Sequence, residues 1–220
     1  MRLTDIGKTY GSKTVLDGLS LEIKEGEITC ILGKSGAGKT TLLNALAGII
    51  DFDGEVVPRI ERVGYVFQDN RLLPYMTVRQ NLQFVGGRDE VIEELLPECG
   101  LEFFAERKAV NLSGGEKRRV ELLRAFCVEA DAVLLDEPFS ALDTVTKEKI
   151  LALAHRLIRE KKKTAVFVTH DLDEALRFAD KIALLDEGKI VFEMDLPKTD
   201  ALRPYASLSK ERALLLEKMN

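Results

Sequence analysis

The segment GKSGAGKTT, Gly33 to Thr41, has the residue types and spacing of a phosphate cradle. Gly33, Gly38, Lys39 and Thr40 fit G-x-x-x-x-G-K-S/T, and the segment lies between an apolar run, Ile28 to Leu32, and the helical pattern TLLNALAG. Gly33, Gly36 and Gly38 let the backbone wrap an anion with N–H groups, including those of Lys34, Ser35, Ala37 and Thr41, while the helix N-terminus adds positive potential. Lys39 would reach the outer phosphates and Thr40 could hold Mg2+. The plain alternative is a glycine-rich turn that merely joins strand to helix.

Two further segments could do hydrolytic work. AVLLDEP puts Asp136 and Glu137 at the C-terminal end of an apolar strand, the edge where ligands sit in open parallel sheets. Asp136 could complete a Mg2+ shell, and Glu137 is placed to accept a proton from an attacking water. An acidic pair that simply ends a strand in solvent is the competing reading. His170 follows the apolar strand TAVFVT and precedes a capping-box spacing at Asp171 and Glu174, so it projects from the same sheet edge, with a helix starting just after it. A third segment, NLSGGEKRRVELLRAF, sets Ser113, Gly114 and Gly115 at the start of a helical pattern that glycine disfavours. Read locally, Ser113 is an N-cap followed by a loose first turn.

Positioning these groups on one edge requires a parallel sheet. EITCIL, AVLLD, TAVFVT and KIALLD are continuous apolar runs separated by helical patterns, which indicates a sheet covered on both faces. MRLTDI and the alternating LSLEIKEG suggest a small antiparallel sheet near the N-terminus, and Asp186 to Lys189 reads as a hairpin turn. Between Asn70 and Phe126 the strand signal disappears, which marks an inserted helical lobe. The stripe Ile150, Leu151, Leu153, Ala154, Leu157 and Ile158 defines an amphipathic helix; His155 is read as surface, and Arg159 to Lys163 as a solvated terminus.

The 220 residues, 45% hydrophobic and 31% charged, have the balance of one globular core with a modest lobe. A formal charge of -5 argues against a general nucleic-acid binder. Apolar runs fall far short of the roughly 18 residues needed to cross a bilayer. The start, MRLTDIGKTYG, has no secretory-type apolar core, and Cys30, Cys99 and Cys127 lack metal-ligand spacing; a cytoplasmic protein with buried thiols is expected.

In order, GKSGAGKTT, VFQD, LSGGE, LLDEP, SALD and VTH resemble the motif series of ATP-binding cassette (ABC) ATPases over essentially the whole chain. LSGGE is the specific element. The resemblance implies an α/β fold: a P-loop NTPase (RecA-like) core with a mostly parallel sheet, an N-terminal antiparallel β subdomain and an inserted α-helical subdomain. It implies one domain over 1–220, with 1–69 and 127–220 as core and antiparallel subdomain and 70–126 as the helical one. By the same likeness ATP and Mg2+ are the ligands, Tyr10 stacks on adenine, Gln68 reaches Mg2+ and water, and Glu137, His170, Lys39 and Gln68 carry catalysis. Ser113, Gly114, Gly115 and Glu116 would close on nucleotide held by a second copy, and Ser140 to Asp143 would cross that interface. Glu116 and Arg118 stand where the family more often has glutamine.

Two functions are then in view. One is a transport ATPase peripheral on the inner face of the cell membrane, docked on integral permease subunits served by a substrate-binding protein; NRLLPYMTVRQNL resembles the permease-binding segment of importers, nearest the nitrate, sulfonate and taurine group. The other is a soluble ABC ATPase of repair, chromosome structure or translation, which the single cassette, acidic balance and absence of sustained heptads disfavour. A kinase or GTPase would explain the cradle but not LSGGE.

Overall fold

The computed structural model describes residues 1–220 except Ala141, Ala206 and Asn220. Five parallel strands and one antiparallel strand form the main sheet: β3 (Ile28–Leu32), β5 (Val63–Val66), β6 (Ala132–Asp136), β7 (Thr164–Thr169), β8 (Lys181–Asp186) and β9 (Lys189–Asp195), in the order β5-β6-β7-β3-β8-β9. The expected hairpin joins β8 to β9, with Asp186 opposite Lys189. β1 (Arg2–Tyr10), β2 (Lys13–Glu22) and β4 (Asp53–Val57) form a separate antiparallel sheet.

The apolar runs are continuous because both sheet faces are covered, and alternate residues serve different layers. Cys30, Leu32, Val133, Leu135, Phe167 and Leu184 face one core, shared with helices α4 (Gly114–Cys127), α5 (Thr144–Glu160) and α6 (Leu172–Phe178). Ile31, Leu134, Val166, Val168 and Leu185 face the other, with α1 (Lys39–Leu46) and the antiparallel sheet. Phe167 and Phe178 meet edge to face with centroids 4.9 Å apart. Segment 70–126 carries α2 (Val78–Phe84), α3 (Asp89–Glu98) and α4, plus one isolated bridge, Thr77 to Lys108.

Two expectations are corrected. His155 is not on the surface: it is 1% exposed, packed against the Phe178 ring, and desolvation assisted by the Arg159 cation holds its pKa down at about 4. Arg159 is not part of a solvated terminus either. Its guanidinium forks onto buried Asp180 at 2.6 and 2.8 Å, and Asp180 also accepts from the Ile28 N–H, fixing α5 to the start of β3. All three cysteines are buried and free, as expected.

Candidate nucleotide site

Register brings the chemistry together. In the parallel ladders Leu32 lies opposite Thr169 and Leu184, and Asp136 opposite Val168, so β3, β6 and β7 end level with one another. The residues that follow, Gly33, Glu137 and His170, therefore emerge at one sheet edge.

The cradle's glycines are fixed by close packing. A Cβ on Gly33 would sit 2.4 Å from the Leu185 carbonyl oxygen, and one on Gly38, at φ +105°, would sit 2.9 Å from that of Val15. Gly38 begins α1 without a side-chain cap and the first turn carries no acid, which leaves the helix N–H groups for an anion. Lys39, itself buried, donates to the carbonyls of Gly33 and Lys34 at 2.8 and 2.9 Å. Burial lowers its pKa, while Glu137 and Asp136 push it up.

Asp136 is 2% exposed and its Oδ1 has no hydrogen-bond partner among the described residues. Burial raises its pKa and a hydrogen bond with Thr40 opposes the rise. An orphaned carboxylate oxygen beside a hydroxyl fits a hard, oxygen-seeking cation such as Mg2+. The described residues hold no cluster of three or more His, Cys, Asp or Glu suited to a metal, so these two donors would need phosphate and water oxygens to complete a shell. Glu137 turns into left-handed backbone at φ +45°, a conformation that costs a non-glycine residue about 1–3 kcal/mol. The turn points its carboxylate at His170, whose Nδ1 lies 3.2 Å from Oε1.

Lys39, Thr40, Asp136, Glu137 and His170 are thus brought together within one chain. Ser113 to Glu116 are not: their side-chain hydrogen bonds, among the described residues, stay within the capping box of α4, where Ser113 Oγ accepts from the Glu116 N–H at 3.3 Å and Glu116 accepts from the Ser113 N–H at 2.7 Å. Glu116 therefore serves the helix terminus that favours its charge. Among the described residues Gly114 and Gly115 have no internal need to be glycine: a Cβ on the first meets nothing within 4 Å, and on the second only Leu142 at an ordinary 3.7 Å. Tyr10, at the end of β1, presents a half-exposed ring, and Gln68, beyond β5, is exposed with no side-chain hydrogen bond among the described residues. Of Ser140 to Asp143, Ala141 lies outside the described residues; Asp143 caps α5 by accepting from the Thr146 N–H.

Sequence reasoning missed what Arg118 does. It is buried, and its guanidinium donates to the carbonyls of Phe67, Asp136, Glu137 and Pro138. Oppositely charged residues at i and i+3 within an apolar helical stripe, Arg118 and Glu121, were the available signal.

The pattern described as ABC transporter matches residues 16–140, more than half the chain. The chain belongs to the ABC transporter family. The cassette is 44% identical, over 212 residues, to the aliphatic sulfonates import ATP-binding protein SsuB 2 of Rhodococcus jostii (strain RHA1), covering 92% of this chain and 86% of that one. It is 38% identical to SsuB 2 of Burkholderia cenocepacia (strain HI2424), covering 96% and 83%. Its fold matches the dimeric ATP-binding cassette MJ0796 in a post-hydrolysis state bound to ADP and Pi, with TM-score 0.80, 34% identity, and coverage of 90% of this chain and 99% of that one. No helix among the described residues is long and apolar enough to cross a membrane.

Proposed function

We propose that the cassette is the ATP-binding subunit of an ABC importer for aliphatic sulfonates, hydrolysing ATP in a head-to-tail dimer to drive a separate membrane permease. The observation that carries the dimer is the split of the site. A cradle with Asp136, Glu137 and His170 stands at one sheet edge, while an exposed Ser113 cap, with open space among the described residues where Gly114 would carry a Cβ, bonds only within its own capping box. The import role and the cargo class rest on the sulfonate-import relatives, and dimerisation is supported by the likeness to a dimeric cassette. The non-transport alternative has no comparable support.

In this reading the cradle N–H groups and Lys39 hold the phosphates, and Tyr10 stacks on the adenine. Mg2+, when bound, would neutralise charge on the phosphate oxygens, with Thr40, Asp136 and Gln68 as its protein contacts. Glu137 takes the proton from the attacking water, and His170 orients its carboxylate. Ser113 is suited to reach a partner's terminal phosphate: its oxygen accepts within the capping box, which leaves its O–H free to donate outward. Segment 70–126 is the helical lobe that meets the permease on the inner face of the membrane, and a substrate-binding protein delivers cargo from the other side.

Glu137→Gln should bind ATP with wild-type affinity, lose hydrolysis and run as a dimer in sizing experiments with ATP and Mg2+. A monomer at saturating ATP would refute the head-to-tail site. Lys39→Ala should weaken nucleotide binding at least about tenfold, since it removes the cation from the phosphates; unchanged affinity by titration would reject the cradle.

A further inference from the structure

We infer that Arg118 and Glu121 form a buried clip that positions Gln68 and Glu137 relative to each other, so that the loop carrying one and the strand end carrying the other are held as a unit. The inference rests on the reading of Gln68 and Glu137 as site residues. Arg118 is 6% exposed and Glu121 4%. From one guanidinium, Nη1 donates to the Phe67 carbonyl at 2.5 Å and to Glu121 Oε2 at 3.3 Å, Nη2 to the carbonyls of Asp136 and Glu137 at 2.9 and 2.6 Å, and Nε to that of Pro138 at 2.9 Å. The other carboxylate oxygen of Glu121 accepts from the Arg71 N–H at 2.7 Å. Phe67 and Arg71 bracket Gln68, so the pair grips both ends of its loop while the same fork grips the backbone of Asp136 and Glu137.

A filler for the α4 core would not need this chemistry. A buried ion pair is often no more stabilising than apolar residues of the same volume, so its value lies in the geometry it fixes. That geometry is demanding at Glu137, whose left-handed backbone is held by Arg118 and by the Ser140 hydroxyl, which donates to the Glu137 carbonyl at 2.8 Å. Only a planar fork with five donors reaches carbonyls on two separate segments at once. Because Ser113 caps the same helix, displacement of α4 or of the Gln68 loop is transmitted to the backbone of the catalytic carboxylate. Arg118 and Glu121 are positioning residues in this scheme, touching neither nucleotide nor water.

The test uses Arg118→Lys, which keeps a positive charge against Glu121 but loses the fork. Melting temperature should fall, because buried carbonyls lose their donors, while nucleotide affinity and KM stay near wild type. Turnover should fall roughly ten- to a hundredfold, the scale of a small misplacement of catalytic groups. Should the lysine variant fail to fold, Arg118→Met with Glu121→Leu removes both charges together and should show the same split of kcat from KM. A two-by-two comparison with Gln68→Ala separates positioning from general packing: Gln68→Ala should cost much less in the Arg118→Lys background than in wild type, because the loop is already released. Wild-type turnover in Arg118→Lys, or losses that multiply independently, would overturn the clip while an impaired Gln68→Ala left the site assignment standing. Wild-type turnover in Gln68→Ala would overturn the site assignment and the clip with it.

Discussion

Gly33 and Gly114 are the same residue type under opposite constraints. At Gly33 any side chain runs into the Leu185 carbonyl 2.4 Å away, on a strand that cannot retreat without opening the β3–β8 ladder. Gly33→Ala should therefore destabilise the fold by about 1–3 kcal/mol in urea unfolding, the usual cost of overpacking. At Gly114 the added methyl meets nothing within 4 Å among the described residues and lies in the first turn of α4, where alanine is the better helix former. Gly114→Ala should leave stability unchanged or slightly raised while lowering hydrolysis and ATP-driven dimerisation. A destabilised Gly114→Ala would mean that this glycine, like Gly33, serves its own chain.

At the scale of elements, what could be read from sequence depended on how each element is buried. The runs at β3, β6, β7 and β8 were legible because each is apolar on both faces. β5 was not, because VGYV is only four residues long and its glycine exists to let α4 approach, with Ala125 O 2.2 Å from where a Cβ would stand. β4, DGEVV, buries only Val56 and carries almost no apolar signal. That the cradle, the carboxylates and His170 would share one sheet edge was legible from their residue types and strand positions, whereas Arg118 offered only its i,i+3 pairing with Glu121, since its carbonyl partners on other segments leave no trace in the sequence. His155 was misread although it follows Leu151 by four and precedes Ile158 by three, which puts it on the buried face of α5. That position has a consequence in acid. Folded His155 stays neutral down to about pH 4, held there by burial and by the Arg159 and Arg203 cations against the opposing pull of Asp180, whereas the unfolded chain protonates near 6.5. Between those values the unfolded state binds more protons, so this contribution to stability is complete above pH 6.5 and is lost as pH falls toward 4. Thermal melts over this range should show His155→Met losing less stability than wild type on acidification; parallel curves would place the acid sensitivity elsewhere.

In the proposed reading, the whole molecule is organised around a site that one copy does not complete alone. One sheet edge supplies the cradle, Asp136, Glu137 and His170, and the N-terminus of α4 supplies a capped, positively polarised helix end facing outward. Two copies related by a twofold axis would satisfy both halves at once, because each surface would meet its complement on the partner. Gly114→Glu isolates that claim from folding. An acid in the first turn of α4 favours the helix dipole, worth roughly 0.3–1 kcal/mol, and among the described residues its Cβ meets nothing within 4 Å, so the single chain should melt at or above the wild-type temperature. In a dimer the same carboxylate would be driven against the partner's phosphates, adding bulk and like charge where close approach is required. In the Glu137→Gln background, Gly114→Glu should bind ATP as before and remain monomeric in sizing experiments, whereas Glu137→Gln alone dimerises. If the doubly substituted protein still dimerises with ATP, α4 does not face the partner's nucleotide and the two-copy site fails.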